Sequence, residues 1–286
     1  MNNNHGSVIK EIRKLRGISQ QQLGQLIGSQ SMVSRIENNK AEPSDHTLLL
    51  LCHALNISFD EYFDMVYGTH ASDTERLFDF VSQAYKTNNQ NDLKKLYISS
   101  LQAIKRNPDD VSLFHKYMVV KATLYHLDFK LTTELEQNRL IDYFFQVPKW
   151  QYYDLRILEH TLYVIDVDKI KPYITEIIYQ DNCDHFSESV SNTVGQTIIN
   201  LLEASIMQKK YHVTKYLLTQ VPLWQPKSKN FKFQTWLLFW TGFFEQQQNI
   251  TANTHEKIEQ AYQIATYVDS QETLKMFDRL LKLLHH

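Results

Sequence analysis

"GISQQQLGQLIGSQSMVSRIENNK" (residues 17–40) carries few charges and is dense in amide and hydroxyl side chains. A solvated helix is ordinarily dressed with charge pairs, whereas amides and hydroxyls are the groups that read base edges. The punctuation of the stretch is equally informative. Val8, Ile12 and Leu15 recur at helical spacing upstream and predict a first helix with one buried face, closed by Gly17. Ser19 with Gln22 three residues on forms a capping box for a second helix, which buries Leu23, Leu26 and Ile27 and stops at Gly28. Ser29 caps a third, buried through Val33 and Ile36. A fourth runs from about Ser44 to Leu55, and a short fifth lies near 59–64. Helices two and three, joined through a tight glycine turn, make a helix-turn-helix unit.

The remainder of the 286 residues is also helical in character. Only 7 Gly and 6 Pro punctuate a chain that is 43% hydrophobic and 22% charged. Amphipathic segments span roughly 72–86, 91–106, 111–126, 132–146, 151–164, 168–180, 187–209, 211–220, 231–248, 253–267 and 270–284. "KRNPDD", "VPKW", "QDNCDH" and "VPLWQPKSKN" supply the breaks. Helix pairs at a rough 35–40-residue period predict an α-solenoid of tetratricopeptide type. The expected fold is therefore all-α, with a five-helix unit over 1–66 and a helical-repeat domain over 67–286. "FKFQTWLLFWTGFF" (231–244) is interrupted by Lys232, Gln234 and Thr235 and is too short to cross a bilayer, so its aromatics read as a buried helix.

Charge is unevenly spread. The net value is −2, yet residues 1–57 hold six Lys/Arg against four acids, leaving the basic excess on the helix-turn-helix unit. Two cysteines, Cys52 and Cys183, fit a reducing compartment, and "MNNNHGSVIKEIRK" lacks the apolar core of a signal peptide. A cytoplasmic protein without membrane contact is expected. Neither "HEKIE" (255–259) nor "CDH" (183–185) has the ligand pairs of a metal site, and no phosphate-cradling glycine loop or nucleophile elbow occurs. Neither an enzyme nor a cofactor or metal is expected. Nothing marks the terminal His285 and His286 as functional.

"IRKLRGISQQQLGQLIGSQSMVSRIENNKAEPS" resembles the helix-turn-helix of the Cro/C1-type (XRE) phage-repressor family over about residues 7–64. The resemblance implies a recognition helix starting at Ser29–Gln30 that enters the major groove of double-stranded operator DNA. Gln30, Ser31, Ser34 and Arg35 would face the bases, where Gln suits adenine, Arg suits guanine and Ser either. Gln20 matches the family's phosphate-contacting glutamine; Arg16, Asn38 and Lys40 are placed to hold the backbone, with Asn39 beside them. Arg13 and Glu37 match a pair that ties helix one to helix three.

The whole arrangement, together with "VPKWQYYDLRILEHTLYVI" (147–165) and "AIKRNPDDVSLFHKYMVVKATL" (103–124), resembles the Rgg/GadR/MutR regulators, a group that also includes PlcR and PrgX. That resemblance implies a cytoplasmic homodimer whose promoter activity answers to a short imported signalling peptide, as in quorum sensing. Arg156, set between Leu155 and Ile157, is a candidate for a peptide carboxylate, with Asp154 and Glu159 as competing local partners. Asn200 in "TIINLLEASI" is a candidate for peptide main chain, or for a neighbouring helix. Cys52 lies in helix four on the flank where repressor-type domains face a dimer mate, so its thiol is a candidate for an inter-subunit disulfide, the alternative being a small apolar residue of the core. The last helix, with Leu274, Phe277 and Leu281 on one side, could serve a two-fold contact or pack on its predecessor. The alternative to peptide control is a protein partner docking on the repeats.

Overall fold

Caps and glycines cut the first part of the chain into α1 (His5–Leu15), α2 (Gln20–Ile27), α3 (Gln30–Glu37), α4 (Asp45–Leu55) and α5 (Phe59–Tyr67). Asn4, Ser19, Ser29 and Ser44 each accept a backbone N–H at the start of the helix that follows, relieving donors that have no intrahelical partner. Ser19 and Gln22 complete the capping box reciprocally. Gly28 ends α2 at φ 95°, in the left-handed region that favours glycine. The chain, a computed structural model, is described over residues 4–67, 73–128, 132–184, 186–225, 230–248, 256–268 and 270–284. His185, His255, His285 and His286 lie outside these.

Two compact units emerge, 1–76 and 77–286. The core of the first joins Val8, Ile9, Ile12, Leu23, Val33, Ile36 and Leu51 among others. Two expected core residues are not in it: Leu15 is 77% exposed and Leu26 61%. The cause is the direction of each buried face. In α1 the face is centred on Ile9 and Ile12 and includes the guanidinium of Arg13, which leaves Leu15 on its rim past the last packed turn. In α2 it runs through Leu23, Gly24 and Ile27, and Leu26 is turned away from Ile27 by about 100°.

The second unit comprises α6 (Asp73–Lys86, most of its length), α7 (Gln90–Arg106), α8 (Val111–Asp128), α9 (Glu134–Phe145), α10 (Tyr152–Thr161), α11 (Val167–Asp184), α12 (Glu188–Met207), α13 (Tyr211–Gln220), α14 (Phe231–Gln248), α15 (Glu256–Tyr267) and α16 (Gln271–Leu284). Among the described residues there is no strand. Helices alternate in their packing, α10 on α12, α12 on α14 and α11 on α13, as stacked helix pairs require. Hydrogen bonds bridge successive repeats at a recurring separation: Asn200 to the Glu159 carbonyl across 41 residues, Trp224 to Asp181 across 43. The repeat is thus slightly longer than the hydrophobic pattern indicates. α12 is the central helix, buried on most sides. α14 is the expected buried aromatic helix, with Phe239, Trp240 and Phe243 at 1% exposure or less. Phe277 of α16 stacks on Phe239 with centroids 4.2 Å apart and meets Trp236 edge-on, so intrachain packing accounts for the apolar side of the last helix. No described helix is long and apolar enough to cross a membrane.

Candidate nucleic-acid face and a cavity in the helical body

α3 is held by one buried ion pair. Arg13 of α1 grips Glu37 at the end of α3 with both Nε and NH2, the latter at 2.8 Å, and donates NH1 to the Ile18 carbonyl at 2.7 Å. Gln20 adds a 2.7 Å bond to the same carboxylate. Burial pushes the Glu37 carboxyl up, but its bonds from Arg13 and Gln20 outweigh that and hold it below the usual range. Stability from such a group is present above the unfolded pKa, near 4.3, and is lost as pH falls through the lower folded value. Glu37→Gln should therefore cost the first unit about 1.5–2 kcal/mol at neutral pH. It should also remove part of the unit's acid-unfolding limb, both read from denaturant titrations between pH 3 and 7.

Gln30, Ser31 and Arg35 are exposed along α3, and Ser34 is half-buried. Asn38 and Lys40 are exposed just beyond the helix, while Arg16 lies exposed at the end of α1. Asn38 donates to the Ser34 carbonyl at 2.7 Å, and Arg16 to the Asn56 carbonyl at 3.1 Å, so both are steered by their own unit. Gln20 has committed one of its two amide hydrogens to Glu37 and acts first as a brace between α2 and α3. Cys52 takes the place of a small apolar core residue. Its side chain is 1% exposed within the core of the unit, and burial pushes the thiol up, away from the reactive thiolate.

In the second unit, Arg156 and Asn200, singled out separately from sequence, line one cavity of about 460 Å3. α6, α10, α12, α14 and α16 contribute to its walls. Arg156 NH1 donates to Glu159 at 2.6 Å, and the guanidinium lies 4.7 Å from the centre of the Phe78 ring. Asn200 donates to the Glu159 carbonyl at 3.2 Å and accepts from Gln196 at 2.7 Å. Of the two local partners anticipated for Arg156, Glu159 takes the guanidinium and sits on the cavity wall, whereas Asp154 accepts from Tyr143 and the Gln151 N–H. At the far side Lys86 of α6 pairs with Glu272 of α16 at 2.9 Å. His160 stacks on Phe78 at 5.0 Å, and burial, then the charge of Arg156, lowers its pKa to about 3, so the ring is neutral.

Sequence reasoning did not find Glu159, His160, Lys86, Lys232, Trp236 or Glu272 as cavity residues, because they are distributed over four helices. One signal was available. Asn192, Gln196 and Asn200 repeat at every fourth position of α12, a row of amides along one line of a largely buried helix. Among the described residues no three His, Cys, Asp or Glu side chains gather as metal ligands.

A helix-turn-helix unit joined to a helical-repeat body defines the class of helix-turn-helix transcriptional regulators. The chain belongs to the Rgg family: the profile of the C-terminal domain of HTH-type transcriptional regulator Rgg matches residues 81–279, and a helix-turn-helix profile matches 9–62. Among solved structures, the SHP pheromone receptor Rgg2 of Streptococcus dysgalactiae is 24% identical, with a TM-score of 0.73 over 98% of this chain and 99% of that one. The PrgX/cCF10 complex is similar at 17% identity and a TM-score of 0.74, covering 97% of this chain and 98% of that one. Bacillus thuringiensis PlcR, in complex with the peptide PapR7 and DNA, is 20% identical with a TM-score of 0.59, covering 96% and 99%. These likenesses share the fold. No curated protein matches the sequence.

Proposed function

We propose that this regulator is a cytoplasmic homodimer that binds operator DNA through α3 and answers to a short linear peptide held in the cavity of its helical body. The observation that carries the reading is the convergence of Arg156 and Asn200 on one cavity of suitable size for a ligand. The amide row on α12 supports a peptide in particular. One side chain per four residues recurs every ~6 Å along a helix, close to the ~6.6 Å two-residue repeat of an extended chain. Asn192, Gln196 and Asn200 can therefore meet successive main-chain groups in register. The pheromone receptor Rgg2 and the complexes of PrgX with cCF10 and of PlcR with the peptide PapR7 and DNA agree with this reading. On the DNA side, Gln30, Ser31, Ser34 and Arg35 read bases while Gln20, Arg16, Asn38 and Lys40 position the unit on phosphates. Peptide would act by changing how two bodies pack and so the spacing of two recognition helices, which must match half-sites about one helical turn apart.

The test is a titration of the purified protein on its own promoter, with and without the short hydrophobic peptides encoded beside its gene. A peptide-dependent change in affinity, or in transcription at constant affinity, supports the reading and gives its sign. Salt-sensitive DNA binding that ignores every such peptide would favour a protein partner on the repeats instead. In the same assay Arg35→Ala should relax preference at one base pair by about 1–3 kcal/mol. An unaltered preference across operator variants removes Arg35 from base readout.

A further inference from the structure

In the cavity wall a buried cation, Arg156, faces a buried anion, Glu159. Arg156 is 15% exposed and Glu159 7%, three residues apart on α10, and only NH1 of the guanidinium is spent on the carboxylate. Arg156 Nε is buried with no hydrogen-bond partner among the described residues. A guanidinium carries five N–H donors, and those of NH1 and NH2 that Glu159 does not use can meet a second carboxylate from the cavity. Seating one there would place two anions on one cation, away from water, an arrangement that neighbouring carboxylates resolve by holding a proton. We propose that Glu159 is the counter-ion that gives way, so that a peptide carboxylate bound at Arg156 is accompanied by uptake of one proton at Glu159. The proposal rests on the peptide reading given above. The proton comes from solvent, and Glu159 passes from carboxylate to carboxyl with no other bond made or broken.

The surroundings favour Glu159 over its neighbours. Burial already pushes its carboxyl up, opposed first by Arg156 and then by Lys232. Lys232 of α14 is a weak substitute for the guanidinium, since burial and the charge of Lys86 both lower its own pKa. Lys86 in α6 is paired with Glu272 of α16. On α12, Glu203 accepts a hydrogen bond from Tyr163 at 3.2 Å. Asp79 of α6 adds a further negative charge to the cavity lining, which favours protonation. His160 is the competing site, yet a proton there would lie beside Arg156 as well as in an apolar setting, and both oppose it. Specificity follows: the cavity accepts a ligand with a free carboxylate best at lower pH, and a C-terminal amide escapes the dependence.

The probe is the tightest-binding member of a synthetic library of eight-residue Leu, Ile, Val, Phe and Gly peptides with free C-termini, made also as its amide. Calorimetry in phosphate and in Tris, whose ionisation enthalpies differ, counts protons taken up by the full-length protein. The wild type should take up about one proton with the acid and none with the amide, and its affinity for the acid should fall by up to about tenfold per pH unit as pH rises. Glu159→Gln should bind the acid at least tenfold more tightly at pH 7 and take up none. His160→Asn should leave the uptake in place. Uptake that is absent in the wild type, or that persists in Glu159→Gln, overturns the role of Glu159 while leaving peptide binding intact. Failure of every library member to bind removes the peptide reading, and this proposal with it.

Discussion

Gly24→Ala should dislodge the recognition helix. A Cβ at position 24 would lie 2.4 Å from both the Cα and the N of Gln30, distances that no rotamer change relieves because the neighbour is backbone. Two effects oppose each other. Alanine is the better helix former by about 1 kcal/mol, and α2 would gain that much. Overpacking against an immovable neighbour costs about 3 kcal/mol, at or beyond the top of its usual range, because α2 and α3 must part by an ångström or more. The clash wins. The damage is specific in direction, since Gln30 opens the face proposed to read bases, and a shift there displaces Ser31, Ser34 and Arg35 together. Denaturant unfolding of the first unit should therefore shift by about 2 kcal/mol net, and operator affinity should fall further than stability alone accounts for. Gln21→Ala, an exposed position on the same helix, should change stability by less than about 0.5 kcal/mol. If Gly24→Ala matches that control, α2 and α3 have room that their backbones do not show.

The same turn explains why so much of the first unit was legible in sequence. Ser19, Gln22, Gly28 and Ser29 act on neighbours within four residues, and local chemistry of that kind needs no knowledge of tertiary structure. The buried faces were less legible. Leu15 and Leu26 have helical spacing but lie at or beyond the rim of each buried face, which Arg13 and Gly24, a charge and a hydrogen atom, extend on the other side. Hydrophobic periodicity does not count either as core. Cys52 shows the converse: its place in helix four was correctly read, but whether a thiol looks inward depends on what packs over it.

In the helical body, helix spans were readable from periodicity and breaks to within a few residues at most ends, and the repeat followed from their spacing. The cavity was half readable. Arg156 and Asn200 stand out as polar residues in apolar helices, a local anomaly, whereas Lys86, Lys232 and Glu272 are ordinary surface-type residues in sequence. Only the return of α16 to α6, through Lys86–Glu272 and through Arg279, whose guanidinium lies over the Tyr85 ring at 5.0 Å, makes them part of one wall. Closure between helices nearly two hundred residues apart leaves no trace in a window of eighteen.

Arg156→Ala should abolish the response to peptide. The guanidinium is desolvated, lies over the Phe78 ring and keeps donors that Glu159 does not use, so a ligand carboxylate that loses it loses a buried charge-assisted pair worth about 3–5 kcal/mol, roughly a hundredfold to several thousandfold in affinity. The measured quantity is the ratio of operator affinity with and without peptide, which should collapse to one at peptide concentrations that saturate the wild type. The single variant has a weakness that the structure identifies. It leaves Glu159 buried without its cation, a change that destabilises the body by itself. Arg156→Gln combined with Glu159→Gln removes both charges while preserving shape and hydrogen-bonding groups, so the cavity stays neutral. This double variant should fold with a thermal midpoint near that of the wild type and still ignore the peptide. A double variant that responds as the wild type does would place the ligand elsewhere in the body, and the Arg156–Glu159 pair would then be a structural brace of α10.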